Sequence, residues 1–461
     1  MIALLATTSF VAILAWLVFE GSALASRREE SPVPGSVDEI TTAVEQSFQE
    51  KPAPEKPLIS EALKEKLKDL PPFFRDSSLD IKPRTYFFYE SQPNSNPPPG
   101  KTISEAWALG GSVEYKSGLW LDRFSVGSEL FTSLKLFGPK DHDGTGLLEP
   151  GQRSYFVVGQ LYGKVKLFDD QFFSFYRQEY DLPYVNKDDS KMTPNTFEGY
   201  TLQGSFGNKE RGPELRYGAG YIPRIKPHNS DGFEPMSVAA GASVERGTAV
   251  GGALFSFKDF SIGAINYFTP DIINIFYSEA KYLWHPVDGL GVHFAVQYTS
   301  QRSVGDNLLT GSSFNVHTLG GRIDTSYWGA VLSAAFTSTS KGAAMISPWG
   351  GYPGYTDMMI SDFDQAGEDT FSISLSYDFK RLGLEGLSGY VSYAWGRHLI
   401  NPSNGSPLPN QREFDVTLDY RINKGFLRNF WIRLRDGVLC QQGIGRTYNF
   451  RAILNYDLAV F

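Results

Sequence analysis

The chain has 461 residues, with 43 basic and 51 acidic side chains and a formal charge of -8, a balance that argues against a nucleic-acid binder. An aromatic content of 14% disfavours a disordered chain, and a mean hydropathy of -0.26 disfavours a bundle of apolar membrane helices. The single cysteine, Cys440, rules out an intrachain disulfide and a cysteine-based zinc cluster. What is left is a chain that hides its apolar residues on alternate positions of strands.

The one long apolar run is at the start, Met1 through Phe19, followed by Ala23-Leu-Ala25-Ser26 and Arg27-Arg28. The small residues at 23 and 25 match a signal-peptidase site, so residues 1–25 read as a cleaved export signal. A positive segment ahead of the apolar run is missing, which keeps an uncleaved anchor as the competing reading. Residues 26–78 are polar, rich in Glu, Lys and Pro, and carry two short helical patterns at 38–49 and 59–70. They read as a partly helical or flexible periplasmic extension.

From residue 79 to 461 the pattern changes to two-residue alternation, the signature of half-apolar strands. Tyr448, Phe450, Ala452, Leu454 and Tyr456 alternate with Thr447, Asn449, Arg451, Asn455 and Asp457. Phe294, Val296 and Tyr298 alternate with His293, Gln297 and Thr299. Tyr155, Val157, Leu161, Val165 and Leu167 oppose Gln160, Lys164 and Lys166. A soluble sandwich alternates too, so the connections carry more weight. Gaps at 338–367, 397–410 and 438–445 read as long, while 324–326, 381–386 and 423–428 read as tight. Short turns on one side and long loops on the other describe an outer-membrane barrel. The count is 18 strands, an even number that returns both ends to the short-turn side. The closing Phe461, with Tyr456 before it, reads as a signal to the barrel-assembly machinery. Aromatics such as Tyr86 to Tyr89 fit interfacial girdles or, equally, a sandwich core.

Tyr176-Arg-Gln178, Leu182-Pro-Tyr-Val-Asn186, Leu215-Arg-Tyr-Gly-Ala-Gly-Tyr221, Ser347-Pro-Trp-Gly-Gly351, Trp431-Ile-Arg-Leu-Arg435 and Phe450-Arg-Ala-Ile-Leu-Asn-Tyr456 occur in this order. Together they make the region from about 80 to 461 resemble the OprD family of outer-membrane porins. The resemblance implies an all-β, 18-stranded antiparallel transmembrane barrel with extracellular loops folded inward to form an eyelet. It also implies passive passage of small, commonly carboxylate-bearing or amino-acid-like solutes along a row of basic side chains. Arginine suits that task because its fork offers paired donors and stays charged.

Arg433, Arg435 and Arg451 occupy the polar faces of the last two strands and are the expected rungs. Arg177 matches the family motif but shares parity with Phe173 and Phe175, so a bulge would be needed to aim it inward. Lys164, Lys166 and Arg322 are weaker candidates. The alternative for the arginines is ion pairing to lumen acids such as Asp415 or Asp457. On the second constricting loop, Tyr355 and Asp357 are expected on the opposite wall of the eyelet. Asp141-His-Asp-Gly-Thr-Gly146 lacks the acid at its twelfth position and reads as an ordinary turn rather than a calcium loop. No H-E-x-x-H, phosphate-binding loop or catalytic constellation is present, so neither metal, cofactor nor catalytic residue is expected. The expected function is a substrate-selective channel in the outer membrane of a Gram-negative cell, surrounded by lipid, monomeric or weakly trimeric. A general diffusion porin and an exported soluble β-protein that binds glycans are the alternatives.

Overall fold

The structure, a computed structural model, describes residues 59–94, 100–207, 212–425 and 427–461. Its first six strands are β1 (Ser78–Asn94), β2 (Gly100–Lys116), β3 (Phe124–Phe137), β4 (Tyr155–Phe168), β5 (Gln171–Gln178) and β6 (Thr196–Gly207). The middle six are β7 (Glu214–Lys226), β8 (Thr248–Phe257), β9 (Phe260–Thr269), β10 (Ile273–Val287), β11 (Leu290–Ser303) and β12 (Asn315–Tyr327). The last six are β13 (Ala330–Thr339), β14 (Asp369–Asp378), β15 (Leu387–Arg397), β16 (Gln411–Arg421), β17 (Phe430–Gln441) and β18 (Gly445–Tyr456). Each pairs antiparallel with the next, and β18 pairs antiparallel with β1 from Arg84↔Asn455 to Ser91↔Tyr448. The sheet is thus a closed 18-stranded barrel, and its strand count is the one expected.

Closure leaves no free edge, which a sheet in hydrocarbon requires because nothing there can pair an open row of amides. The distribution of side chains fits the same environment. On β11, Gln297 and Thr299 are each 2% exposed while Val296 is 54% exposed. On β14, Phe371, Ile373 and Leu375 point outward and Ser372, Ser374 and Ser376 inward. Polar residues are inside and large apolar ones outside, the reverse of a soluble sandwich.

The tight turns sit at one rim. Trp328-Gly329 joins β12 to β13 with φ of 52° and 83°, the pair of positive angles a type I′ hairpin requires. The turn expected at 324–326 therefore falls three residues later: Asp324, Thr325 and Ser326 continue the ladder to β13. At the opposite rim lie the long segments 138–154, 179–195, 227–247 and 340–368. Residues 438–445, expected to be a long loop, are mostly strand, because β17 and β18 stay paired out to Gln441↔Gly445. Cys440 accordingly lies on β17, not in a loop.

Two further expectations are corrected by local register. Tyr155 and Val157 are buried inside, whereas Leu161 is outside. A bulge at Gly159 on β4, where the consecutive Glu129 and Leu130 of β3 pair with Gln160 and Val158, switches the face midway along β4. Of the aromatics at 86–89, Tyr86 and Phe88 are buried inside the barrel and so cannot belong to a lipid girdle.

Before β1, a helix spans Glu61–Leu67 with Ser60 as its N-cap, Oγ accepting from Leu63 N at 3.2 Å. Ile59 N donates to Ala459 O and Ser60 N to Val460 O, so this segment is tied to the chain's last residues at the short-turn rim. The helical pattern at 38–49 and the export signal lie outside the described residues.

Arginine placed at mid-height on a lipid face costs about 2–4 kcal/mol, whereas lumen positions are tolerant. Val296→Arg is therefore expected to destabilise the barrel in phospholipid bilayers by that amount, and Ser388→Arg by under about 1 kcal/mol. Denaturant unfolding of the two variants in vesicles measures the difference; equal costs would mean that both faces meet water.

Candidate functional site

The two long segments 179–195 and 340–368 do not stay at the rim. Tyr184 Oη donates to Thr299 on β11, and Tyr86 Oη on β1 donates to Ser190 O. One segment thus touches opposite walls, which is possible only from inside. The second segment likewise reaches two separate strands of the inner wall. Tyr355 Oη donates to Glu279 Oε1 on β10 at 2.6 Å, and Met359 N donates to Asp415 Oδ2 on β16 at 3.0 Å. The two segments also strap each other. Asn186 N donates to Trp349 O, while the Asn186 side chain donates to Gly351 O and accepts from Gly351 N.

The apolar residues of these loops explain why they fold inward. Tyr184, Val185, Trp349 and Tyr352 join Phe197, Ile222, Tyr267, Ile275 and Tyr277 in one buried cluster. Trp349 satisfies its indole by donating to Met236 O at 2.7 Å. The cluster fills the lumen beside β6–β12, which leaves the passage against β13–β18 and β1–β3. Several cavities lie on that side. A cavity of about 390 Å³ lies under Tyr355 and Asp357, and one of about 800 Å³ below it is lined by Thr417, Asp419, Trp431 and Arg433. Another of about 340 Å³ reaches Lys82 and Arg84.

Along this passage the barrel seam concentrates guanidinium groups. Arg435 and Arg451 are directly paired across β17 and β18, and Arg433 lies two residues from Arg435 on the same face. On β1, Arg84 joins them from opposite Asn455, a rung the sequence reading missed. Three of the four are occupied by protein partners. Arg433 binds Asp419 through Nε and a terminal nitrogen at 2.7 and 2.8 Å and stacks over Trp431, its carbon 4.7 Å from the ring. Arg84 binds both oxygens of Asp189 at 2.6 and 2.9 Å and reaches Asn455 and Lys191 O. Arg451 donates to Asn449 Oδ1 and to Met359 O. Arg435 is different: its Nε is buried without a hydrogen-bond partner. The ion pairing weighed as an alternative thus occurs at Arg433, but with Asp419.

Asn449, which stands where a further basic residue would extend the row, is a bridge. It accepts from Arg451 and donates to Glu90 Oε2 at 2.6 Å. Lys191, on the first inward loop, adds a cation over the Phe88 ring at 4.6 Å.

Arg177 is not brought to this group. It pairs with Glu198 at 3.0 Å and lies under Phe233, 4.1 Å from the ring. In the ladder it faces Leu161, an outward residue, and Glu198. Tyr176 has a φ of 78°, yet that irregularity does not turn Arg177 toward the seam. Of the weaker candidates, Lys164 lies over Phe172, Lys166 pairs with Asp169, and Arg322 pairs with Asp324.

The strand beside the seam and the loop packed on it are acidic. Glu413 accepts from Ile360 N and Ser361 N at 2.6 and 2.9 Å, so it and Asp415 use carboxylate oxygens to hold the loop tip. Asp357 presents its side chain to the lumen, and Arg435 is among the charges acting on it. Tyr355 sits between Glu279 and Arg322, whose guanidinium is 5.7 Å from its ring. Tyr355 and Asp357 thus line the cavity opposite the seam. Farther along the loop, burial first and then the charges of Asp362 and Glu368 push Asp364 up to about 7. No group of three or more potential metal ligands occurs among the described residues.

Solved structures share this architecture. OccK9 (OpdG) of Pseudomonas aeruginosa is 24% identical, with 84% of this chain and 100% of that one covered at a TM-score of 0.75. OpdK of the same organism, in a structure with vanillate, is 20% identical over 84% and 100% of the two chains at 0.72. A BenF-like porin from Pseudomonas fluorescens Pf-5 is 19% identical over 84% and 100% at 0.74. No curated protein matches the chain in sequence. The family model for outer membrane porins of the OprD family matches residues 71–460, and the chain belongs to that family.

Proposed function

We propose that this porin is a passive channel selective for small carboxylates, with Arg435 as the rung that contacts the solute. The observation that carries the reading is the unequal occupancy of the four seam arginines. Arg84, Arg433 and Arg451 already spend their donors on Asp189, Asp419, Asn449 and Met359 O. They set a positive potential along the wall while their Nε groups are already held by protein acceptors. Arg435 has its Nε unpaired and pairs in the ladder with Thr417, which lines the cavity of about 800 Å³. A carboxylate arriving there exchanges water for charge-assisted hydrogen bonds. The acids across the passage keep the site shallow, since a solute held too firmly would not leave. OpdK, which shares the fold, was crystallised with vanillate, itself a carboxylate, in keeping with this reading. A general diffusion porin would need no such open donor. A soluble glycan binder has no support from a wall that is apolar outside.

Arg435→Gln is expected to weaken carboxylate block of single-channel current about tenfold or more, the value of a charge-assisted hydrogen bond. Arg433→Gln, at a guanidinium already paired with Asp419, is expected to change it by about threefold at most. Equal, small effects of both on acetate and chloride currents in planar bilayers would leave only general diffusion.

The eyelet loop is expected to respond to pH. Asp364 takes its proton more readily in the docked loop than at its ordinary value of 3.8. The docked state is therefore favoured most below that value and loses ground as pH rises toward about 7, above which the loss is constant. Amides around Trp349 should exchange more slowly, after correction for intrinsic rates, at pH 5 than at pH 8. Asp364→Asn should flatten the dependence; an unchanged slope in that variant would assign it elsewhere.

A further inference from the structure

The arginine seam continues sideways into a wall of unclaimed hydroxyls. Directly paired inward residues run from Arg435 to Thr417, from Thr417 to Tyr390 and from Tyr390 to Ser376. The next inward row runs Asp415, Ser392, Ser374 and Ser333. Ser392 Oγ and Asp415 Oδ1 are buried, at 4% and 3% residue exposure, and neither atom has a hydrogen-bond partner. Together with Arg435 Nε they make three unpartnered polar atoms on three adjacent strands, β15, β16 and β17. Buried polar groups are nearly always paired, so three in one patch point to a partner that arrives from the lumen.

We propose that this patch is a solute subsite for a carboxylate that carries several hydroxyl groups. The inference rests on the carboxylate reading of Arg435 and extends it. Neighbouring strands are about 4.8 Å apart, so Thr417 stands about 5 Å from Arg435 along the wall and Tyr390 with Ser392 about 10 Å. A carboxylate at Arg435 with a chain of about six carbons therefore lies across both. Its hydroxyls can donate to Asp415 Oδ1 and exchange hydrogen bonds with Ser392, Ser374 and Tyr390, each able to donate and accept. The cavity of about 390 Å³ that these serines line is closed from the other side by Tyr355 and Asp357. On the strand side Val331 and Ala335 sit among the serines of β13 and β14, while Pro353 and Met358 supply apolar surface from the loop side. A purely aliphatic acid would leave the hydroxyls unsatisfied. A zwitterion could use Asp415 through an ammonium group, but it has no use for the remaining neutral row.

The test uses the full chain in planar bilayers and three six-carbon probes: gluconate, hexanoate and 6-aminohexanoate. Wild type should bind gluconate, read as the half-blocking concentration, about tenfold more tightly than hexanoate. The double variant Ser374→Ala with Ser392→Ala should erase that preference and leave hexanoate unchanged. Both serines are on the lumen side of their strands, and circular dichroism with heat-modifiable mobility checks that the barrel is intact. No preference for gluconate in wild type, or an equal loss for all three probes, would overturn the subsite. A preference for 6-aminohexanoate over gluconate would also overturn it and reassign Asp415 to ammonium capture. If instead Arg435→Gln leaves hexanoate block unchanged, the carboxylate reading itself fails, a result distinct from any of these.

Discussion

Everything at the candidate site depends on the seam where the last strand meets the first. Without β18 pairing to β1, the barrel would expose two rows of unpaired amides to hydrocarbon, so closure is obligatory. The same ladder brings residues from the two ends of the chain side by side: Arg84 faces Asn455, Tyr86 faces Ile453 and Phe88 faces Arg451. The guanidinium row is therefore a tertiary product. Two of its rungs come from β17, one from β18 and one from β1, and no local stretch of sequence contains it.

A second constraint follows from width. Eighteen strands enclose far more space than inward side chains can fill, so the lumen has to be partly filled by the chain itself. The long loops do this with Tyr184, Trp349 and Tyr352 packed on β6–β12. Their apolar payload would be stranded in water at the rim, and burial inside the barrel removes it. Polar backbone carried in with them must also be satisfied. Gln301 accepts from and donates to Ile346 at 2.8 Å, and Glu413 and Asp415 take three amides of the second loop. Strand acids here hold the eyelet loop first and line the passage second.

Periodicity in the sequence carries the strands, their parity and the inward faces of β11, β17 and β18, because alternation maps directly onto two faces. It loses the thread where a bulge changes parity, as on β4 at Val158–Gln160, and where both faces are aromatic, as at Tyr86–Tyr89. That second case hid Arg84, since nothing local says which of two aromatic faces looks inward. It also could not assign partners. Asp415 and Asp457 looked like natural mates for the arginines, but pairing register sets Asp419 opposite Arg433. Arg177 shows the reverse: a motif match in sequence whose register places it beside Glu198. The family resemblance supplied what periodicity could not, the inward loops and the seam as a row.

Saturated and open rungs have different physical consequences. An arginine already bound to a carboxylate is close to neutral as a pair, rigidly placed, and contributes mainly shape and residual field. Leaving a guanidinium Nε buried and unpaired is costly, because its desolvation is not offset by a partner. Such an arrangement persists when neighbouring packing fixes it, and here Arg451 and Thr417 flank Arg435 in the ladder while Asp415 and Asp357 stand within its field. The unpaired donor, the unpaired oxygen of Asp415 and the unpaired hydroxyl of Ser392 are then a single feature rather than three defects. On the proposed reading they are polar capacity left for a passing solute, and their spacing along the wall sets what chemistry could use it.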